Sequence, residues 1–90
     1  GMSVFPAEVE MAVAAHPAVV ACAVVAKPDD ETGERPVAFV TVTEAVDADR
    51  LREFAAERLA AYKVPEIRVI EAMPMTATGK IRKNQLGAQG

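Results

Sequence analysis

The run Val19-Val20-Ala21-Cys22-Ala23-Val24-Val25-Ala26 is apolar throughout. It is shorter than a typical globular helix and is rich in β-branched valine, so it predicts a β-strand. Because the run does not alternate between apolar and polar residues, we expect both faces of the strand to be covered. The sequence therefore predicts that this strand lies at the centre of a sheet.

A short helix is predicted before this strand. Pro6 suits the first turn of a helix, where its missing N–H is not needed, and Glu8 and Glu10 place negative charge near the positive end of the helix dipole. Pro17 ends the helix, because proline disfavours helical angles in the residue before it. We therefore interpret His16 as a packing or capping residue and not as a catalytic base. The predicted buried face consists of Val9, Ala12, Val13 and His16.

Turn-forming and capping residues divide the rest of the chain. Residues 27–36 are dense in proline, glycine and charge, which indicates a loop, and residues 37–43 are β-prone, which predicts a second strand antiparallel to the first. Asp47 is a good N-cap for a second helix. Residues 67–70 predict a third strand, and residues 81–86 predict a final helical turn. The apolar face of the second helix is expected to contain Leu51, Phe54, Ala55 and Leu59.

These elements predict an α+β fold with the order αββαβ, followed by a C-terminal loop that carries a lysine. A right-handed crossover through the second helix would place the third strand beside the first. The expected sheet is small, three-stranded and antiparallel, with strand order 2-1-3, and helices cover it. The 90 residues suffice for one domain, which we assign to residues 1–90, with Gly1 expected to be a remnant of tag cleavage.

Composition excludes several classes of protein. The net charge of −3 and the isoelectric point near 5.1 argue against a nucleic-acid binder, which normally carries a basic face. Cys22 is the one cysteine, which excludes an internal disulfide and fits a reducing, cytoplasmic location, and we interpret it as a small buried hydrophobe. We expect no metal site, and no apolar run is long enough to span a membrane.

The loop Pro74-Met75-Thr76-Ala77-Thr78-Gly79-Lys80-Ile81 is the strongest candidate site. A lysine directly after a glycine suits an anionic, phosphorylated ligand, because glycine relaxes the backbone and the ammonium is a compact cation. The loop does not match the phosphate-binding loop of nucleotide hydrolases, because proline and isoleucine replace its first glycine and its magnesium-binding hydroxyl. We interpret Arg82 and Lys83, which follow the loop, as residues of a solvated surface.

Five blocks in this order resemble the C-terminal domain of the adenylate-forming enzymes, and most of all that of acyl-CoA synthetases. They are Phe5–Glu10, His16–Val19, Gly33–Val40, Tyr62–Pro65 and Pro74–Lys80. The resemblance covers the chain from about Val4 to Leu86.

This resemblance implies a function for the lysine loop. In the family, a carboxylic acid reacts with MgATP to give an acyl-adenylate, and the acyl group then passes to coenzyme A. Lys80 would be the catalytic lysine of the first step, and Gly79 and Thr78 would contact the nucleotide. The small domain then rotates and withdraws the lysine. The resemblance also implies a large N-terminal domain as partner, without which we expect neither activity nor tight cofactor binding.

Two other functions stay open. The chain could belong to a peptide-synthetase adenylation domain, whose acceptor is the thiol of a carrier protein, or it could be a stand-alone α+β protein-interaction module. The Tyr62–Pro65 block and residues 76–81 are more similar to synthetases, including those of fatty acid metabolism. The resemblance also implies a protein lysine acyltransferase as a partner of Lys80, and an open sheet edge would invite self-association.

Overall fold

The computed structural model of this protein describes residues 6–31 and 33–88, with side chains up to Leu86. The proposed tag remnant Gly1 and the start of the first matching block at Phe5 lie outside the described residues. The elements in chain order are helix α1 (Pro6–Ala14), strands β1 (Val19–Asp29) and β2 (Gly33–Val42), helix α2 (Ala48–Ala56), a short 3₁₀ turn (Ala61–Lys63), strand β3 (Glu66–Val69) and helix α3 (Lys83–Ala88).

The helices predicted from Pro6 and after Asp47 are confirmed, and the final helical turn, predicted over residues 81–86, lies at Lys83–Ala88. Helix α1 begins at Pro6, and beyond its end the Nδ1 atom of His16 accepts a hydrogen bond from the Ala18 N–H at 3.1 Å. The His16 ring packs edge-on against Phe54, with 4.9 Å between ring centroids. Helix α2 is capped by Asp47, whose carboxylate accepts from the Asp49 N–H at 3.1 Å. His16 is therefore a packing residue at the junction of the two helices.

The α+β class is confirmed, but the predicted strand order 2-1-3 and the fully antiparallel sheet are wrong. The order is β1-β2-β3, with β1 and β2 antiparallel and β2 and β3 parallel. The connection through α2 returns β3 to the side of β2 and not to that of β1. The central strand is β2, in which Pro36–Val40 is buried without interruption, whereas Val20 on β1 is 63% exposed. The uninterrupted apolar run of β1 led to the prediction of a central strand. Much of that run consists of small residues such as alanine, which are also tolerated at the edge of a sheet.

The predicted loop over residues 27–36 is also wrong at both ends. The two strands continue into this segment and pair in register down to Asp29 and Gly33, so the connection is a tight hairpin. Pro28 lies on β1, which has one neighbour in the described sheet, and Pro36 lies just before the part of β2 that pairs with β3. Prolines are tolerated at such positions because no second ladder needs their N–H.

Alternation along β2 sends side chains to two separate cores. Ala38 and Val40 face helices α1 and α2 on one side, while Val37 and Phe39 face the C-terminal segment on the other. The first core is completed by Val9, Val13, Val24, Leu51, Ala55, Leu59 and Ile67, and the second by Ala23 and Leu86 with the partly buried Val25, Ile70, Met73 and Ile81. Helices α1 and α2 thus cover one face, and the segment that contains the lysine loop covers the other. Among the described residues, no helix has the length and apolar character needed to cross a membrane.

We expect Leu86→Ala to lower the free energy of unfolding by about 2–5 kcal/mol, because it leaves a cavity under α3. Leu86 is fully buried, whereas Met11 on α1 is 76% exposed. The matched control Met11→Ala should change stability by no more than about 0.5 kcal/mol. Chemical denaturation followed by circular dichroism measures both. Equal effects of the two substitutions would contradict the packing of the C-terminal segment on the sheet.

Candidate functional site

The lysine loop is a hydrogen-bonded hairpin. Met75 and Ile81 form an antiparallel bridge, and inside it the Thr76 N–H donates to the Lys80 carbonyl at 2.7 Å. The Gly79 N–H donates to the Thr76 carbonyl at 3.0 Å, which closes the turn. A turn followed by a glycine with positive φ is a common way to close a three-residue hairpin loop. The backbone at Lys80 is therefore held on both sides.

Threonine hydroxyls order this turn. The Oγ1 atom of Thr76 accepts a hydrogen bond from the Lys80 N–H at 3.0 Å and lies 3.0 Å from the Oγ1 atom of Thr78. Thr76 thus bonds to the lysine backbone through both its main chain and its side chain. Thr78 is exposed, and its hydroxyl supports the turn through Thr76.

Gly79 has a conformational reason to be glycine. Its φ is +88°, in the region that other residues rarely adopt. A Cβ atom placed there would meet no described atom within 4 Å, so crowding inside the domain does not require glycine. The requirement comes from the turn itself, and the space beside Gly79 is open.

Lys80 and Ile81 point in opposite directions. Ile81 packs against the second core, next to Phe39 and Leu86, whereas Lys80 is exposed. Among the described residues, the side chain of Lys80 has neither an ion pair nor a hydrogen bond. The hairpin therefore presents a charged ammonium on a braced backbone, available to an anion from outside the domain.

The neighbours Arg82 and Lys83 are exposed, as the sequence indicated, but each also makes specific contacts. The Arg82 N–H donates to the Pro74 carbonyl at 2.7 Å, and its side-chain Nε donates to the Met75 carbonyl at 3.3 Å. The Nζ atom of Lys83 lies 3.3 Å from Oε1 of Glu10 on α1. Both residues thus stabilise the base of the hairpin, and local sequence patterns gave no sign of the contact with Glu10, 73 positions away.

Cys22 is not a nucleophile. It is half-buried on β1, and burial, together with the nearby Glu10 carboxylate, raises the pKa of its thiol to about 12. A thiol needs a low pKa to react at neutral pH. This agrees with its interpretation as a small hydrophobe.

Another charged cluster lies on the sheet, in a place that sequence reasoning missed. Glu66 on β3 accepts from Arg35 on β2 at 2.5 Å and from Arg68 at 2.6 Å. Hydrogen bonds from Arg35 and then Arg68 lower the pKa of the Glu66 carboxyl. The single carboxylate thus joins two guanidinium groups, one of them across neighbouring strands. In the described part of the chain, no three His, Cys, Asp or Glu side chains are grouped so as to hold a metal ion.

A surface groove of the domain lies away from Lys80. It is an open groove beside α2, on the side of the sheet that α1 and α2 cover, whereas the hairpin belongs to the opposite side. Its lining consists of Asp49, Arg52, Glu53, Ala56, Leu59, Ala61 and Val64. The exposed lysine and this groove therefore do not form one site.

Comparisons with known proteins agree on one family. A family model described as the AMP-binding enzyme C-terminal domain matches residues 8–80. Over 87 residues the chain is 40% identical to a 2-succinylbenzoate–CoA ligase of Listeria monocytogenes, a match that covers 96% of this chain and 19% of that enzyme. The chain thus spans about a fifth of the length of the curated relatives that it matches.

Solved structures give the same result. A fatty acyl CoA synthetase of Mycobacterium tuberculosis matches with a TM-score of 0.89 and 37% identity, covering 99% of this chain and 18% of that one. The o-succinylbenzoate CoA synthetase of Bacillus subtilis, in complex with its acyl-adenylate intermediate, matches with a TM-score of 0.86 and 37% identity, covering 96% of this chain and 18% of that one.

We expect Gly79→Ala to destabilise the hairpin locally by about 1–2 kcal/mol, because alanine disfavours positive φ. Amide hydrogen exchange at Thr76 and Lys80 should accelerate, while exchange in β2 stays close to that of the unchanged protein. Ala77→Ser, a substitution at an exposed turn position, is the control. Unchanged exchange at Thr76 in the Gly79→Ala variant would contradict the conformational role of this glycine.

Proposed function

Because the chain belongs to the family of AMP-binding enzyme C-terminal domains, we propose that it is the mobile small domain of an ATP-dependent acyl-CoA synthetase. Its catalytic contribution is Lys80, as the family resemblance implies. The single observation that carries this proposal is an exposed lysine, without a side-chain partner among the described residues, on a hairpin fixed by backbone and threonine hydrogen bonds. A positioned charge of this kind suits a reaction in which negative charge develops.

Lys80 acts in the first of two steps. An oxygen of the carboxylic acid bonds to the α-phosphorus of ATP as the bond to pyrophosphate breaks. Charge grows on the oxygens around that phosphorus, and the Lys80 ammonium stabilises it in a cleft that excludes water. The magnesium that accompanies ATP neutralises further phosphate charge. Gly79 and Thr78, at the exposed tip, are proposed to lie against the nucleotide, where the open space beside Gly79 allows a close approach.

In the second step the sulfur of coenzyme A bonds to the acyl carbon and AMP leaves. Lys80 is not needed there, and rotation of the domain withdraws it. The large N-terminal domain is the proposed partner in both steps and supplies the pockets for nucleotide and acid. Coenzyme A is favoured over a carrier-protein thiol, because the named relatives are CoA ligases and CoA synthetases. A stand-alone interaction module has no comparable support.

The substrate class and location are also part of this proposal. The proposed substrate is a carboxylic acid, and a fatty acid is one candidate because the fatty acyl CoA synthetase of M. tuberculosis is among the similar structures; the choice of acid belongs to the large domain, which supplies the acid pocket. A cytoplasmic location fits the unpaired Cys22, since that compartment keeps thiols reduced. Binding of ATP is assigned to the intact enzyme.

Two further partners are proposed for exposed parts of the domain. A protein lysine acyltransferase could reach Lys80 on its hairpin, and acylation would remove the charge that the first step needs. Self-association along β1 would use the edge of the described sheet. A second copy would have to displace Glu10, which already accepts a hydrogen bond from the Val24 N–H at 3.3 Å.

We expect Lys80→Ala in the intact enzyme to slow acyl-adenylate formation by about 10²-fold or more, because the developing charge loses its cation. Thioester formation from supplied acyl-adenylate should stay near its original rate. Pyrophosphate release and coenzyme A consumption measure the two steps separately. Lys27→Ala, on β1, is the matched control. Equal losses in both steps would show that Lys80 does not act specifically in adenylation.

We expect this chain without the large domain to show no saturation with MgATP at millimolar concentration. One exposed ammonium cannot offset the desolvation and ordering that binding requires. Isothermal calorimetry with the 90-residue chain tests this. Micromolar binding would contradict a shared site and favour an autonomous nucleotide-binding module.

A further inference from the structure

An ion pair connects the two sides of the domain around the edge of its sheet. Glu10 lies on α1, which covers one face, and Lys83 begins α3, whose Leu86 is buried against the other face. The Lys83 Nζ and Glu10 Oε1 atoms are 3.3 Å apart. The pair therefore passes across β1, the edge strand of the described sheet.

The second carboxylate oxygen of Glu10 binds the edge strand itself. Its Oε2 atom accepts the Val24 N–H at 3.3 Å. Val24 is the register partner of Ala38, and its side chain belongs to the core under α1 and α2. One carboxylate thus joins α1, β1 and α3. We call Glu10, Val24 and Lys83 the edge clamp.

The edge clamp holds the chain directly after the catalytic hairpin. Lys83 follows Ile81, the last residue of the hairpin bridge, by two positions, and its own N–H donates to the Ile81 carbonyl at 3.2 Å. Ile81 and Leu86 anchor this segment by apolar packing, which stabilises it without fixing its direction. The charged hydrogen bonds of the clamp are directional and fix where the segment crosses the sheet edge.

The clamp differs from the other ion pairs at the surface. The side chain of Glu10 is 25% exposed, the lowest value among the carboxylates of the described ion pairs, and its two oxygens bind one side chain and one backbone N–H. The Lys63–Glu8 pair also begins on α1 and is shorter, at 2.9 Å, but it connects α1 to the 3₁₀ turn and not to the segment after the hairpin. It is therefore a matched control for the loss of one ion pair.

We propose that Glu10 and Lys83 are positioning residues for Lys80: the edge clamp fixes the downstream arm of the hairpin and thereby the place of the ammonium. The inference rests on the proposed function for its catalytic consequence. Its structural consequence, that the hairpin loosens when the clamp is lost, does not depend on that function.

The structural test uses hydrogen exchange of single amides in the 90-residue chain. In Lys83→Met, exchange at Val24, Thr76 and Lys80 should rise about tenfold, whereas the control Lys63→Met should leave these amides near their original rates. Lys83→Arg should restore them, since it keeps the charge. Glu10→Gln, which keeps an acceptor for Val24 but removes the charge, provides a second variant with the same expected effect at Thr76 and Lys80. Original exchange rates at Thr76 and Lys80 in Lys83→Met and Glu10→Gln would overturn the clamp.

The catalytic test uses the intact enzyme. Lys83→Met should lower kcat for adenylate formation about tenfold with little change in thioester formation from supplied acyl-adenylate, and Lys83→Arg should recover most of the loss. A merely structural role would lower both steps together and would overturn the proposal. If Lys80→Ala slows adenylation and Lys83→Met does not, the positioning role fails while the proposed function stands. If Lys80→Ala has no effect on adenylation, the proposed function fails, and the catalytic positioning role fails with it. The hydrogen-exchange rates then decide whether the clamp holds the hairpin.

Discussion

The pairing of β2 on both sides is the constraint on which the rest of the structure depends. With β1 antiparallel on one edge and β3 parallel on the other, Pro36–Val40 has no exposed position. The alternation of its side chains then requires two covers, one for Ala38 and Val40 and one for Val37 and Phe39. Helices α1 and α2 provide the first. The second cover must come from the chain after β3, which is why the lysine hairpin lies against the sheet.

This arrangement separates the base of the hairpin from its tip. The base is held by Ile81 in the second core and by the Arg82 bonds to the Pro74 and Met75 carbonyls. The tip, with Gly79 and Lys80, is exposed. Under the proposed function, delivery and withdrawal of the ammonium therefore require movement of the whole domain, because a hairpin bonded to its own scaffold cannot swing independently by a large distance.

The sequence predicted features that depend on neighbouring residues and missed those that depend on distant ones. Pro6 and Asp47 marked helix starts through local chemistry, and Lys80 followed from its glycine loop and the family resemblance. Strand order could not be read from the apolar run at Val19, because small residues tolerate an edge as well as the centre of a sheet. The turn at residues 76–79 did contain a usable signal, since glycine after a short polar turn is typical of a hairpin. The contact of Glu10 with Lys83 contained none, since nothing local to either residue reports the other.

The hydrogen bonds of the hairpin give a second reason, besides its sequence, why it differs from the phosphate-binding loop of nucleotide hydrolases. Such loops surround phosphate with backbone N–H groups. Here the Gly79 N–H donates to the Thr76 carbonyl, the Lys80 N–H to the Thr76 hydroxyl and the Thr76 N–H to the Lys80 carbonyl. These amides are already used to close the turn, so they cannot also surround an anion. Under the proposed function, recognition of a phosphate by this hairpin therefore depends mainly on the Lys80 ammonium, and neutralising that charge weakens the interaction while leaving the hydrogen bonds of the turn in place.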